Sequence, residues 1–173
     1  MDASRAVLQR RRLRPAASGC RQTLRAVVIP APGRILRAGR VEGLAAPPRA
    51  ASVGSPKLLV EVAGAAALHG LRPDLEAISA WGKTAGINGI YAWCRLEDGR
   101  VEGRNFNHLD PSLEDSATGV AAGALTALLG HGITLRQGHA TKQSCLIRTR
   151  VERDAILVGG RAEPAAVVES LHR

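Results

Sequence analysis

From Ser116 to Leu135 the chain carries no charged side chain; Ala, Gly, Leu and Thr dominate, and Gly130-His131-Gly132 interrupts the run. The interruption leaves about 12 helical residues, the length of a buried core helix and short of the ~20 needed to cross a bilayer. Such a helix is apolar on every side, so other elements have to cover it all round. Strand-like stretches lie on both sides of it in sequence, and an antiparallel sheet curled around it is the simplest cover. The expected fold class is therefore α+β. Gly119 and Gly123 also match the spacing of a membrane-helix dimer motif, but small residues equally let strands pack closely around a soluble helix, and no membrane partner is expected.

The flanking elements follow from periodicity and turn residues. Lys57 to Val62 reads as a strand ended by Gly64. Leu68, Leu71, Leu75, Ile78 and Trp81 recur at steps of three and four, which predicts two short helices split near Arg72, with Pro73 in the first turn of the second. Gly89 to Leu96 and Arg100 to Phe106 flank Asp98-Gly99, a pair suited to a type I′ hairpin turn. Beyond the uncharged run, Ile133 to Gln137, Cys145 to Val151 and Ala155 to Val158 read as strands, the last ended by Gly159-Gly160. Pro164 to His172 reads as a terminal helix. Trp81 and Trp93 read as core.

Charge divides the chain in two. Residues 1–50 hold 11 Arg against Asp2 and Glu42, whereas residues 51–173 hold 13 basic and 13 acidic side chains. The whole formal charge of +9 thus sits in the first 50 residues. A transit peptide or a nucleic-acid arm would have this composition. Arg outnumbers Lys 21 to 3 over the chain, and no aromatic residue for stacking on bases precedes Trp81, so a disordered or remnant segment is the preferred reading and no nucleic-acid partner is expected. The prolines and glycines of residues 30–56 mark a boundary, with one domain over residues 52–173. Cys20, Cys94 and Cys145 are too scattered for a redox or zinc pattern, and no signal peptide is recognisable, so the expected location is cytoplasmic. His69, His108, His131, His139 and His172 show no metal-ligand spacing and read as surface or capping groups; His139, beside Gly138, is the one considered for ligand contact. No metal is expected.

Chemistry can gather where the uncharged helix begins, near Thr118. Its first backbone N–H groups lack intrahelical acceptors and carry the positive dipole end, which suits a carboxylate, and Gly119 lets a ligand come close. Asp115, just upstream, would grip the same ligand. Alternatively Asp115 is a plain N-cap, worth about 1 kcal/mol and chemically idle. The residues alone weigh these two readings equally.

The tract Glu114-Asp115-Ser116-Ala117-Thr118-Gly119 continues as Val-Ala-Ala-Gly-Ala-Leu to Leu125, and so resembles the E-D-P-A-T-G-S-A-A-G-A-L tract of PhzF-like proteins of phenazine biosynthesis. Gly54 to Val62, Arg104-Asn105-Phe106, Arg136-Gln137-Gly138 and Val158-Gly159-Gly160 resemble further tracts of that family, in the same order. The resemblance implies a diaminopimelate-epimerase-like domain, an antiparallel barrel-like sheet around a central apolar helix. It also implies cofactor-independent acid/base isomerisation of a small carboxylate-bearing molecule in a cleft between two such domains, as part of a biosynthetic process. Asp115 falls on the family's site aspartate, giving it the catalytic role, and Thr118, Gly119 and Val120 fall on its substrate-binding positions. Val120 replaces a serine, so one hydroxyl contact is lost while the backbone N–H remains. Thr141-Lys142-Gln143-Ser144 stands where the family has G-R-P-S. The family's glutamate base belongs to a first domain that residues 1–50 do not supply, and a carbon acid is not deprotonated efficiently without a positioned base. The expectation is thus an isomerase lacking its first domain, with that domain or a second copy in a homodimer as partner; the alternative is a non-catalytic binding half-domain.

Overall fold

The computed structural model describes residues 44–107, 114–153 and 155–160, together with the backbone of two short strands at 9–12 and 36–37. In chain order the elements are β1 (Gln9–Arg12), β2 (Leu36–Arg37), β3 (Arg49–Ala51), β4 (Lys57–Glu61), α1 (Ala65–Gly70), β5 (Arg72–Pro73), α2 (Leu75–Ala85), β6 (Ile90–Arg95), β7 (Val101–Phe106), β8 (Glu114–Asp115), α3 (Gly119–Leu129), β9 (Thr134–Gln137), β10 (Cys145–Glu152) and β11 (Ala155–Gly160). The main sheet runs β1-β11-β10-β9-β7-β6-β4-β3, and β2 pairs with β5 separately.

The sheet is mixed, which corrects the antiparallel expectation. β4 and β6 pair in parallel, as do β7 and β9, while the other neighbours are antiparallel. Parallel neighbours need a long crossover, and the two connections that contain helices supply one each. α1, β5 and α2 lie between β4 and β6; β8 and α3 lie between β7 and β9. The short β8 and β9 share one edge of β7. β9 pairs along Val101 to Gly103, and β8 along Asn105 and Phe106. That arrangement brings Gln137, opposite Gly103, beside Asp115, opposite Asn105.

Period-two alternation gives the sheet two buried faces. Leu58, Val60, Ile90, Ala92 and Phe106 pack against the side of α1 and α2 that carries Leu68, Leu71 and Ile78. Leu59, Tyr91, Trp93, Val101 and Leu135 pack with the α3 residues Ala121, Ala122, Ala124 and Leu125. Residues 121–126 of α3 are all buried, a run longer than one helical turn, so this part of the helix is covered all round. Strands near both ends of the sheet order, β3 and β4 on one side and β10 and β11 on the other, touch α3, and the sheet therefore curls into a half-barrel. Small residues permit the approach: a Cβ at Gly123 would lie 2.8 Å from Val53 Cγ2. Trp93 is buried, and Trp81 packs partly buried against the opposite cluster.

Several local expectations need amendment. The β6–β7 hairpin forms, but not through a type I′ turn. Gly99 has φ 78° and is the only residue of the turn with positive φ. The Gly99 N–H donates to the Leu96 carbonyl at 3.1 Å, and Leu96 N–H to the Arg100 carbonyl at 2.8 Å, the pattern of a turn closed by a glycine bulge. Pro73 lies before the second helix, whose cap is Asp74. Gly159 and Gly160 continue β11 opposite Arg148 and Ile147 instead of ending it. The helix expected at residues 164–172 lies outside the described residues. Among the described residues, no helix is long and apolar enough to cross a membrane.

Candidate functional site

Three polar residues sit in phase with apolar ones on the α3 side of the sheet. Lys57 precedes buried Leu59, Asn105 follows buried Val101 and Gly103, and Gln137 follows buried Leu135. Alternation carries all three inward, and they meet near the start of α3. Asn105 is wholly buried; Gln137 and Lys57 are only 2% and 5% exposed.

Hydrogen bonds link Asn105 and Gln137 to Asp115 and Thr118. Asn105 Nδ2 donates to Asp115 Oδ2 at 2.7 Å, and the Thr118 hydroxyl donates to the same oxygen at 3.2 Å. Gln137 Nε2 donates to the Asp115 backbone carbonyl at 2.8 Å and to Thr118 Oγ1 at 3.0 Å. The Tyr91 hydroxyl in turn donates to Gln137 Oε1 at 3.0 Å. Tyr91 reaches that far because its ring lies across Gly103, where a Cβ would collide with it. Burial pushes the Tyr91 phenol up, so it stays a neutral donor. Each link leaves the Asp115 carboxylate oriented and still half-buried at the mouth of the cluster.

Lys57 completes the charge pattern. Its ammonium donates to the Asn88 carbonyl, and Asn88 is fixed by its own N–H to the Pro56 carbonyl at 2.7 Å and by its side chain to Ser55 at 2.6 Å. Burial pushes the Lys57 pKa down, and the Asp115 carboxylate partly restores it. The Asp115 carboxylate therefore favours the charged form of buried Lys57.

The start of α3 differs from that of α2. In α2, Asp74 Oδ1 accepts the Ala77 N–H at 3.0 Å, an ordinary N-cap. In α3, Thr118 occupies the cap position with extended φ −133° and ψ 91°, and no side chain caps the helix. Asp115 is not an N-cap, since its carboxylate is turned to Asn105 and Thr118. Gly119 is exposed and Val120 half-buried, so the first turn is reachable from outside. Asn105 Oδ1, buried, meets no hydrogen-bond partner among the described residues.

Of the residues expected from sequence, Asp115 and Thr118 are in direct contact, and Gly119 and Val120 open the adjoining helix. Lys57, Asn105 and Gln137 were not singled out. The signal for them was available: each is a polar residue in phase with buried apolar neighbours, which has a cost unless it is hydrogen-bonded. His131 is exposed, beside the Gly132 carbonyl, while His108 and His172 lie outside the described residues. A larger cleft of about 470 Å³ lies at the other end of α3, lined by Arg100, Leu129, His131 and Arg148 among others. It holds none of the converging polar groups, and size alone gives it no chemistry.

A half-barrel of mixed sheet with few helices fits the diaminopimelate-epimerase-like fold. The family model of phenazine biosynthesis-like proteins (PhzC-PhzF) matches residues 33–168, and the chain belongs to that family. It is similar to an uncharacterized isomerase of Deinococcus radiodurans, with 34% identity over 132 residues covering 67% of this chain and 43% of that protein. Among solved structures it resembles a predicted epimerase from Pseudomonas aeruginosa, with 33% identity and TM-score 0.55 over 69% of this chain and 44% of the other. The fold is also that of a PhzF-family phenazine biosynthesis protein from Enterococcus faecalis, at 16% identity and TM-score 0.55, covering 79% and 49% of the two chains. The chain thus spans less than half the length of the relatives it matches.

Proposed function

We propose that residues 44–160 supply one wall of the substrate site of a cofactor-independent isomerase; the Deinococcus relative is named an isomerase and the Pseudomonas relative a predicted epimerase. The observation that carries this reading is the uncapped, accessible start of α3 beside an oriented carboxylate. A substrate carboxylate would accept hydrogen bonds from the first-turn N–H groups, stabilised by the helix dipole. Asp115 would hold a hydroxyl or ammonium group of the same molecule, and the free Oδ1 of Asn105 would accept one more hydrogen bond. α3 serves in this reading as the central helix of its half of the enzyme. In this reading the proton-moving base comes from the other half of the enzyme, and Asp115, whose Oδ2 accepts two hydrogen bonds within the cluster, holds the substrate.

The test is solvent-deuterium exchange into a small carboxylate-bearing substrate. The chain is mixed with the first half of the Pseudomonas relative as a separate polypeptide. Exchange is expected with both present, and Asp115→Ala is expected to abolish it while leaving the circular dichroism unchanged. Absence of exchange in the mixture, or exchange that survives Asp115→Ala, counts against the reading.

A further inference from the structure

The fold brings together two histidines that are far apart in sequence. His69 lies in the last turn of α1, and His139 in the turn after β9; their rings stack with centroids 3.6 Å apart and planes 2° from parallel. His69 Nε2 lies 2.9 Å from Glu102 Oε1 on β7. The donor atoms of His69, Glu102 and His139 all fall within 4.8 Å of one another. None of the three belongs to the hydrogen-bonded cluster around Asp115.

Glu102 is 5% exposed, and a buried carboxylate is costly unless a cation or several donors face it. Two imidazoles and a carboxylate are a ligand set that zinc accepts, with a fourth position left for solvent. That position has room: a cleft of about 250 Å³ is lined by Glu102, Gln137, His139 and Ser144, together with Arg136 and Lys142. These last two cations weaken the hold on a bare dication and favour an anionic group as its fourth ligand.

We propose that His69, Glu102 and His139 form a binding site for a zinc-like divalent metal ion. Zinc–nitrogen bonds of about 2.0–2.1 Å require the donors to draw closer and the parallel rings to splay. His139 makes that movement, being exposed on a turn, while His69 is anchored to Glu102. The bound ion would then pin the turn to α1. Two residues before His139, Gln137 holds Asp115 and Thr118, so the same ion would brace the start of α3 from behind. The inference is independent of the isomerase reading.

The experiment uses the purified full chain, stripped with a chelator, titrated with Co²⁺ and then with competing Zn²⁺. One equivalent of Co²⁺ is expected to bind with weak visible absorption from nitrogen and oxygen ligands, and Zn²⁺ should bleach it. His139→Ala, at an exposed position, should keep the circular dichroism and weaken binding by more than the roughly 10–100-fold typical of losing a supporting hydrogen bond. Glu102→Gln, as a second variant, should weaken it comparably. No binding at millimolar ion, binding untouched by His139→Ala, or a thiolate-to-cobalt band that points to a cysteine would each overturn the site.

Discussion

Strands β7 and β8 present two acids and two partners to opposite faces of one sheet, and the two pairs are finished to different degrees. On the α1 face, Arg104 Nε and Nη2 donate to both carboxylate oxygens of Glu114, at 2.9 and 2.7 Å. Its remaining Nη1 donates to the Leu68 and Leu71 carbonyls at 3.0 Å each, near the end of α1. On the α3 face one residue further along each strand, Asn105 bonds Asp115 but keeps a buried oxygen without a partner among the described residues. The first pair ties a helix to the sheet and engages all three guanidinium nitrogens of Arg104. The second leaves hydrogen-bonding capacity directed at an open helix end. Adjacent residues of like chemistry thus divide into a fastener and a receptor.

Substitution should separate them. Glu114→Ala leaves the Arg104 guanidinium, 7% exposed, without its anion, and breaking a buried ion pair costs roughly 3–5 kcal/mol. Asp115→Ala strands one buried amide donor of Asn105 and should cost less, roughly 1–3 kcal/mol in urea unfolding. Equal losses would erase the distinction. Alkaline titration sharpens it, because the two faces carry shifts of opposite consequence. On the α1 face, burial first and the nearby Glu102 carboxylate second push the Cys94 thiol from 9.0 up to about 11. The folded state then holds its proton longer than the unfolded state, so stability falls as pH rises from 9.0 toward 11, by up to ~2–3 kcal/mol. Cys94→Ala should flatten that decline. On the α3 face the lowered pKa of Lys57 makes the unfolded chain bind its proton first as pH falls below 10.5. Its contribution therefore improves as pH rises to 10.5, and Lys57→Met should remove a smaller rise. Unfolding curves of each variant against the parent across this range provide the check; slopes of the same sign would refute the contrast.

Much of this was readable along the chain, and the failures have physical causes. Local periodicity found β4, β6, β7, β10, β11 and the two short helices, because burial on alternate or every third and fourth positions leaves its mark within a few residues. The start of α3 near Thr118 was legible from the uncharged run and from the family tract around it. Strand pairing was misjudged at β4–β6 and β7–β9. Each of those connections contains a helix, and that was the available sign of a parallel neighbour. Asp98-Gly99 suggested the wrong turn, since only Gly99 takes positive φ and Asp98 instead binds Arg100 through its side chain. His69, Glu102 and His139 show no metal-ligand spacing in sequence, and only His139, beside Gly138, was considered for ligand contact. They meet because β7 and β9 are neighbours and α1 packs beside β7.

The two-residue strand β8 has a consequence for how this chain must fold. Because consecutive side chains alternate, a slip of β8 by a single step along β7 would exchange its two acids: Asp115 would turn toward Arg104, and Glu114 toward the helix mouth. A longer side chain would then crowd the opening, and a shorter one would fall short of the guanidinium. The salt link thereby acts as a parity check, and a molecule that has latched α1 correctly has, by the same act, aimed its aspartate.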